Sequence, residues 1–165
     1  MAFQKILVAI DRSPQSSFVF EKALEQAHEG CEMMITHVVR METEVPSGSF
    51  MGLGTIADVD TYGTLKRAQQ ERIQKELKHS RDWLQPYYQQ AIAKGIITET
   101  ECRAAEPAVW ICDLAKNWEA DLIVLGRRGH QGLKEIVLGS VSNYVVHHAS
   151  CSVLIVQGIA ANDTY

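Results

Sequence analysis

At 165 residues the chain fits a single compact domain, 1–165, and leaves no room for a catalytic unit beside a separate regulator. Hydrophobic residues at 46% and charged residues at 22% are ordinary globular values, which excludes coiled coil, collagen-like repeat and disorder. A net charge of -4 denies the chain the basic stripe that an extended nucleic acid needs, so no nucleic acid partner is expected.

The elements follow in order. Lys5-Ile-Leu-Val-Ala-Ile-Asp11 is a short apolar run ending in a carboxylate, the pattern of a parallel strand covered on both faces. Ser13 and Pro14 occupy the N-cap and first-turn positions of a helix carrying Phe20, Ala23, Leu24 and Ala27, with Gly30 as its stop. Met33 to Val39 reads as a second buried strand. From Arg40 to about Gly63 periodicity vanishes while Pro46, Gly48, Gly52, Gly54 and Gly63 accumulate, which predicts a long flexible loop with a Gly-rich flap.

From Thr64 to Lys94 an apolar stripe of Leu65, Ala68, Ile73, Leu77, Leu84, Tyr88, Ala91 and Ile92 predicts a helix, with Pro86 imposing a kink or a break. Ile96 to Cys102 alternates like a half-exposed strand. Glu106-Pro107 opens a helix, Leu122 to Leu125 is a buried strand, Ser140 to His148 a helix and Ser152 to Val156 the last strand, before a loose tail at 158–165. Five alternations of strand and helix predict an α/β domain with a parallel sheet, right-handed crossovers and helices on both faces, its core running from 5 to 156. Ligands of such sheets sit beyond the carboxyl ends of the strands, here after Ile10, Val39, Ala104, Leu125 and Val156.

No apolar run approaches the ~20 residues of a membrane span, and the first strand is too short for a signal peptide, so a cytoplasmic protein without membrane attachment is expected. Cys31, Cys102, Cys112 and Cys151 stand far apart, without metal-ligand or redox spacing, and read as buried small hydrophobes.

The chemistry concentrates after the fourth strand, where Gly126-Arg127-Arg128-Gly129 is followed, nine residues on, by Gly139-Ser140-Val141-Ser142 at a helix start. Glycines let the backbone approach an anion closely, and a helix N-terminus offers unpaired N–H groups and a positive dipole end. Ser140 and Ser142 add hydroxyls, and Arg127 or Arg128 a counter-charge. Asp11 at the tip of the first strand suits ribose hydroxyls, with a helix cap as its structural alternative. The P-loop and G-x-G-x-x-G patterns are absent. His147 and His148 face different ways on their helix and form no zinc pair, while Asp58 and Asp60 have no spacing that favours a metal over turn chemistry.

The spacing G-x2-G-x9-G-[ST], realised by Gly126, Gly129, Gly139 and Ser140, resembles the ATP-binding signature of the universal stress protein family. So do Ile-Leu-Val-Ala-Ile-Asp11 with Ser13, His37-Val38, Glu106-Pro107-Ala108, Ala120-Asp121 through Leu133, and Cys151 to Val156. The resemblance implies a five-stranded Rossmann-like sheet of the adenine nucleotide alpha hydrolase type, in order 3-2-1-4-5. It implies ATP at the carboxyl edge, with AMP or ADP as the related ligands and Mg²⁺ or Mn²⁺ bridging phosphates. Ala9 and Asp11 would line the nucleoside side, Val38 would meet adenine through its backbone and Leu125 would pack beside it. Gly126, Arg128, Gly129, Gly139, Ser140, Val141 and Ser142 would surround the phosphates. Arg12 and Ser152 depart from the glycine and proline often found at their positions.

The resemblance further implies a homodimer paired through Val153 to Val156 and a stress-response regulator that acts on an unknown protein partner by conformational change. A slow ATP hydrolase or nucleotidyl-transfer enzyme is the alternative, although only His130 offers itself to orient a nucleophile. A nucleotide-independent dimeric scaffold is the second alternative.

Overall fold

The computed structural model describes residues 2–41, 57–127 and 138–157. Five parallel strands, β1 (Lys5–Ala9), β2 (Glu32–Arg40), β3 (Ile97–Ala105), β4 (Leu122–Gly126) and β5 (Ser152–Val156), form one sheet in the order β3-β2-β1-β4-β5. This is the predicted order. Among the described residues four helices connect them: α1 (Ser16–Gln26), α2 (Ala57–Ile92), α3 (Pro107–Asn117) and α4 (Ser140–His148).

The strand period of two divides β1 between two cores. Ile6, Val8 and Ile10 join Phe20 of α1 and Leu84 of α2 on one face, while Leu7 and Ala9 join Ile111 of α3 and Val145 of α4 on the other. Cover on both faces is why the first strand reads as an unbroken apolar run. Central β4 is buried from Leu122 to Leu125, whereas edge strand β3 alternates and leaves Ile97 exposed. At the amino end of the sheet the Asp121 carboxylate accepts the backbone N–H of Gln4 (2.8 Å) and of Lys5 (3.2 Å), giving that motif residue a structural task far from the carboxyl edge.

Two expectations are corrected. Helix α1 starts at Ser16 after Gln15, because Ser16 N–H bonds the Ser13 carbonyl (3.2 Å); Pro14 thus sits inside a tight turn rather than in the helix. Residues Ala57 to Gly63, assigned to the long loop, are the first turns of α2; Pro46, Gly48, Gly52 and Gly54 lie outside the described residues. Of the kink or break expected at Pro86 the break does not occur, and the helix continues past it. Pro86 and Asp82 are both exposed, so the carbonyl that loses its partner can bond water, and buried Leu84 and Ala91 hold the helix on either side.

The predicted stripe along α2 is buried only in its later part. Leu77, Leu84 and Ala91 are core, but Leu65 is 63% exposed and every residue from Gly63 to Arg72 is exposed. At 1.5 Å per residue the 36-residue helix is about 54 Å long, against about 30 Å for the nine-residue strands β2 and β3 on which it packs, so its first half outreaches them.

Candidate functional site

A cleft of about 800 Å³ opens at the carboxyl end of the sheet, where β1 has β2 on one side and β4 on the other. Connections leaving neighbouring strands toward opposite faces create such a crevice. Of the residues singled out in the sequence, Ala9, Asp11, Val38, Leu125, Gly126, Gly139, Ser140, Val141 and Ser142 line it together. Arg128 and Gly129, with His130, lie outside the described residues.

Asp11 is exposed at one end of the cleft. Its Oδ1 accepts the Ser13 N–H (3.0 Å), and the hydroxyl of buried Ser16, with one proton to give, donates to the Asp11 carbonyl while lying 3.3 Å from Oδ1. This side-chain turn braces the loop but does not cap α1, whose N-cap residue is Gln15. Oδ2 has no hydrogen bond among the described residues, so one carboxylate oxygen fixes the turn while the other is available to a hydroxyl donor.

The amino end of α4 lies in the same cleft. Asn143 N–H is the first to find a helix carbonyl, that of Gly139 at 2.9 Å, which leaves the N–H groups of Ser140, Val141 and Ser142 without intrahelical partners. Gly139 N–H donates to the Arg127 carbonyl (3.0 Å), drawing together the two ends of the glycine segment. Buried Ser142 strengthens that closure, since its hydroxyl faces the carbonyls of Arg127 (2.9 Å) and Gly139 (3.0 Å). Its single proton is thus committed to backbone, and the N–H is what Ser142 has left for a ligand. Ser140, by contrast, is exposed and its hydroxyl has no partner among the described residues.

Between these polar ends Ala9, Val38, Ile111, Leu125 and Val141 supply an apolar wall that belongs to the α3–α4 core and suits the flat face of a base. His37 also lines the cleft. Its Nδ1 lies 3.0 Å from the Ile10 carbonyl, an acceptor, so Nδ1 carries the proton, and its ring meets Trp83 edge to face at 5.3 Å. Burial holds its pKa below the ordinary 6.5, with Arg12 adding to the depression while the Ile10 carbonyl and Asp11 oppose it.

Among the described residues lining the cleft, Arg40 and Arg127 are cationic and Asp11 is acidic. Sequence reasoning passed over Arg40, although it follows Val38 by two residues and so shares its face of β2. It also passed over Ser16, whose spacing from Asp11 becomes meaningful only once the intervening turn is known. The four cysteines are free, and burial pushes the Cys102, Cys112 and Cys151 thiols up, in keeping with packing rather than nucleophilic use. His148 stacks on Tyr144 at 3.9 Å near the end of α4.

The model of the universal stress protein family matches residues 2–157. The chain belongs to that family. It is 40% identical over 160 residues to universal stress protein Sll1388 of Synechocystis, covering 95% of this chain and 99% of that relative. Universal stress protein UspA from Lactobacillus plantarum superposes with a TM-score of 0.73 at 26% identity, over 94% of this chain and 99% of that one. Two more distant members share the fold: an Arabidopsis thaliana protein with AMP bound (TM-score 0.58, 19% identity, 95% and 93% covered) and a universal stress protein in complex with cAMP (0.57, 21%, 94% and 98%).

Proposed function

We propose that this universal stress protein binds an adenine nucleotide, ATP foremost, in the cleft and works as a nucleotide-dependent regulator of the stress response. One observation carries the reading: a single cleft holds a carboxylate oxygen with no partner among the described residues at one end, N–H groups without helix partners at the other, and an apolar wall between. Ribose hydroxyls, phosphate and base are the three chemistries these groups complement. Asp11 takes the ribose, the Val38 backbone meets the adenine edge, and Ala9 and Leu125 pack against the ring. Gly126, Gly139, Ser140, Val141 and Ser142, with Arg128 and Gly129, surround the phosphates. Ser142 contributes there through its N–H, and the bound AMP and cAMP of the two distant fold relatives support adenine as the base.

No three His, Cys, Asp or Glu side chains among the described residues gather to hold a cation. Mg²⁺ or Mn²⁺ accompanying the phosphates would be held by their oxygens and by water, as Mg²⁺ commonly is. The protein acts as a homodimer paired through β5, an edge strand with Val153, Leu154 and Ile155 half-buried, and signals to a protein partner in the cytoplasm. Among the described residues no helix is long and apolar enough to cross a membrane. The test is a mass spectrum of the small molecules released when freshly purified protein is denatured. An adenine nucleotide near one per chain is expected, and none would favour the nucleotide-independent scaffold.

A further inference from the structure

We infer that Arg12 straps the nucleoside end of the cleft to helix α2, so that nucleotide occupancy is transmitted to that helix; the inference rests on the nucleotide reading above. Arg12 lies between Asp11 and Ser13, which line the cleft, but its own side chain reaches α2. There Nη2 donates to the Ser80 hydroxyl at 3.2 Å and Nη1 to Glu76 Oε2 at 3.4 Å. Ser80 is fully buried and its hydroxyl donates to the Glu76 carbonyl at 2.8 Å, so its oxygen is free to accept from Arg12. The grip is therefore on the helix backbone turn from Glu76 to Ser80 as well as on a side chain.

A second connection runs parallel to the first. His37, in the cleft, touches Trp83 edge to face; Trp83 meets Tyr87 at 5.3 Å, and Tyr87 meets Phe20 of α1 at 5.0 Å. The His37 contact and the Arg12 strap thus reach α2 within one turn of each other, at Trp83 and Ser80. A ligand held by Asp11 fixes the turn in which Arg12 is the next residue, and Arg12 in turn fixes the Glu76–Ser80 turn. Helix α2 continues from there toward its amino end through residues that are all exposed from Gly63 to Arg72. A helix gripped beside the cleft and exposed further along is suited to present the state of the cleft to a partner. Linkage makes the effect reciprocal: whatever steadies α2 raises nucleotide affinity by the same factor.

The experiment is amide hydrogen exchange of the full chain with and without saturating AMP, alongside titration calorimetry on the same proteins. In the wild type AMP should slow exchange about fivefold or more across residues 72–84. In Arg12→Gly, which removes both contacts of the strap, and in Ser80→Ala, which leaves only the exposed Glu76 pair, AMP should still bind within about tenfold of wild type while most of the protection of 72–84 is lost. Arg12→Lys, which keeps a donor for the Ser80 hydroxyl, should restore part of it. Full protection of 72–84 in both strap variants overturns the inference, as does a wild type that binds AMP with no response in α2. A wild type that binds no AMP by calorimetry removes the nucleotide reading itself and the inference with it.

Discussion

Replacing Ser142 by Ala and, separately, Ser140 by Ala distinguishes a hydroxyl that closes the glycine segment from one that meets the ligand. The Ser142 hydroxyl is buried against the carbonyls of Arg127 and Gly139, but each carbonyl keeps another partner after its loss, Gly139 N–H at 3.0 Å and Asn143 N–H at 2.9 Å. No buried acceptor is orphaned, so Ser142→Ala should cost about 1 kcal/mol, the net worth of an ordinary hydrogen bond. For a domain of this size that is a fall of roughly 2–4 °C in Tm. Ser140 is exposed and bonds nothing among the described residues, so Ser140→Ala should leave Tm almost unchanged. Its loss should appear in binding: a hydrogen bond to a charged phosphate is worth about 1.5 kcal/mol at the lower end, or roughly tenfold in the AMP dissociation constant. Thermal denaturation and calorimetric titration of both variants check the pair. An unchanged Tm for Ser142→Ala together with a lost Tm for Ser140→Ala would refute the assignment of the two hydroxyls.

Three further outcomes are expected. Gly139 has φ -63, a conformation open to any residue, so Gly139→Val should fold yet weaken AMP binding at least tenfold by crowding the α4 N-terminus; equal affinity in calorimetry would count against the cradle. Burial keeps His37 neutral below its ordinary 6.5, so its contribution to stability is fully present above that value and is lost as pH falls, because the unfolded chain takes up the proton first. Urea denaturation should therefore show the wild type losing more stability than His37→Gln between about pH 7 and pH 5, and equal losses would contradict this cause. Light scattering should give the mass of two chains for the wild type and of one for Val153→Lys, which places a charge on the open β5 edge; a dimer that survives the change would move the contact elsewhere.

The sheet was legible because burial on both faces leaves unbroken apolar runs in β1 and β4, and alternation in β3 marked an edge. Turn-level details were not. Ser13-Pro14 carries the letters of a helix start, yet the same residues serve a tight turn, and only the Ser16-to-Ser13 bond decides between the two. Helix α2 illustrates the opposite failure. Periodicity places Leu65 and Ala68 in a stripe with Leu77, but exposure depends on where the sheet ends, which no helical pattern encodes. Glycine at position 63 also argued for a loop, though one exposed glycine costs a long helix only about 1 kcal/mol. At the site, residue types that declare a chemistry, such as Asp11 after a strand or Gly139-Ser140 before a helix, were visible in the sequence. The committed hydroxyl of Ser142 and the reach of Arg12 to Ser80 were not, because both depend on contacts between distant elements.

Isothermal titration of nucleotide-stripped protein tests the central claim most directly. AMP, and ATP with Mg²⁺, should each give a saturable heat near one ligand per chain and compete with one another, with Asp11→Asn weakening both. No heat from either nucleotide on folded protein would contradict the account.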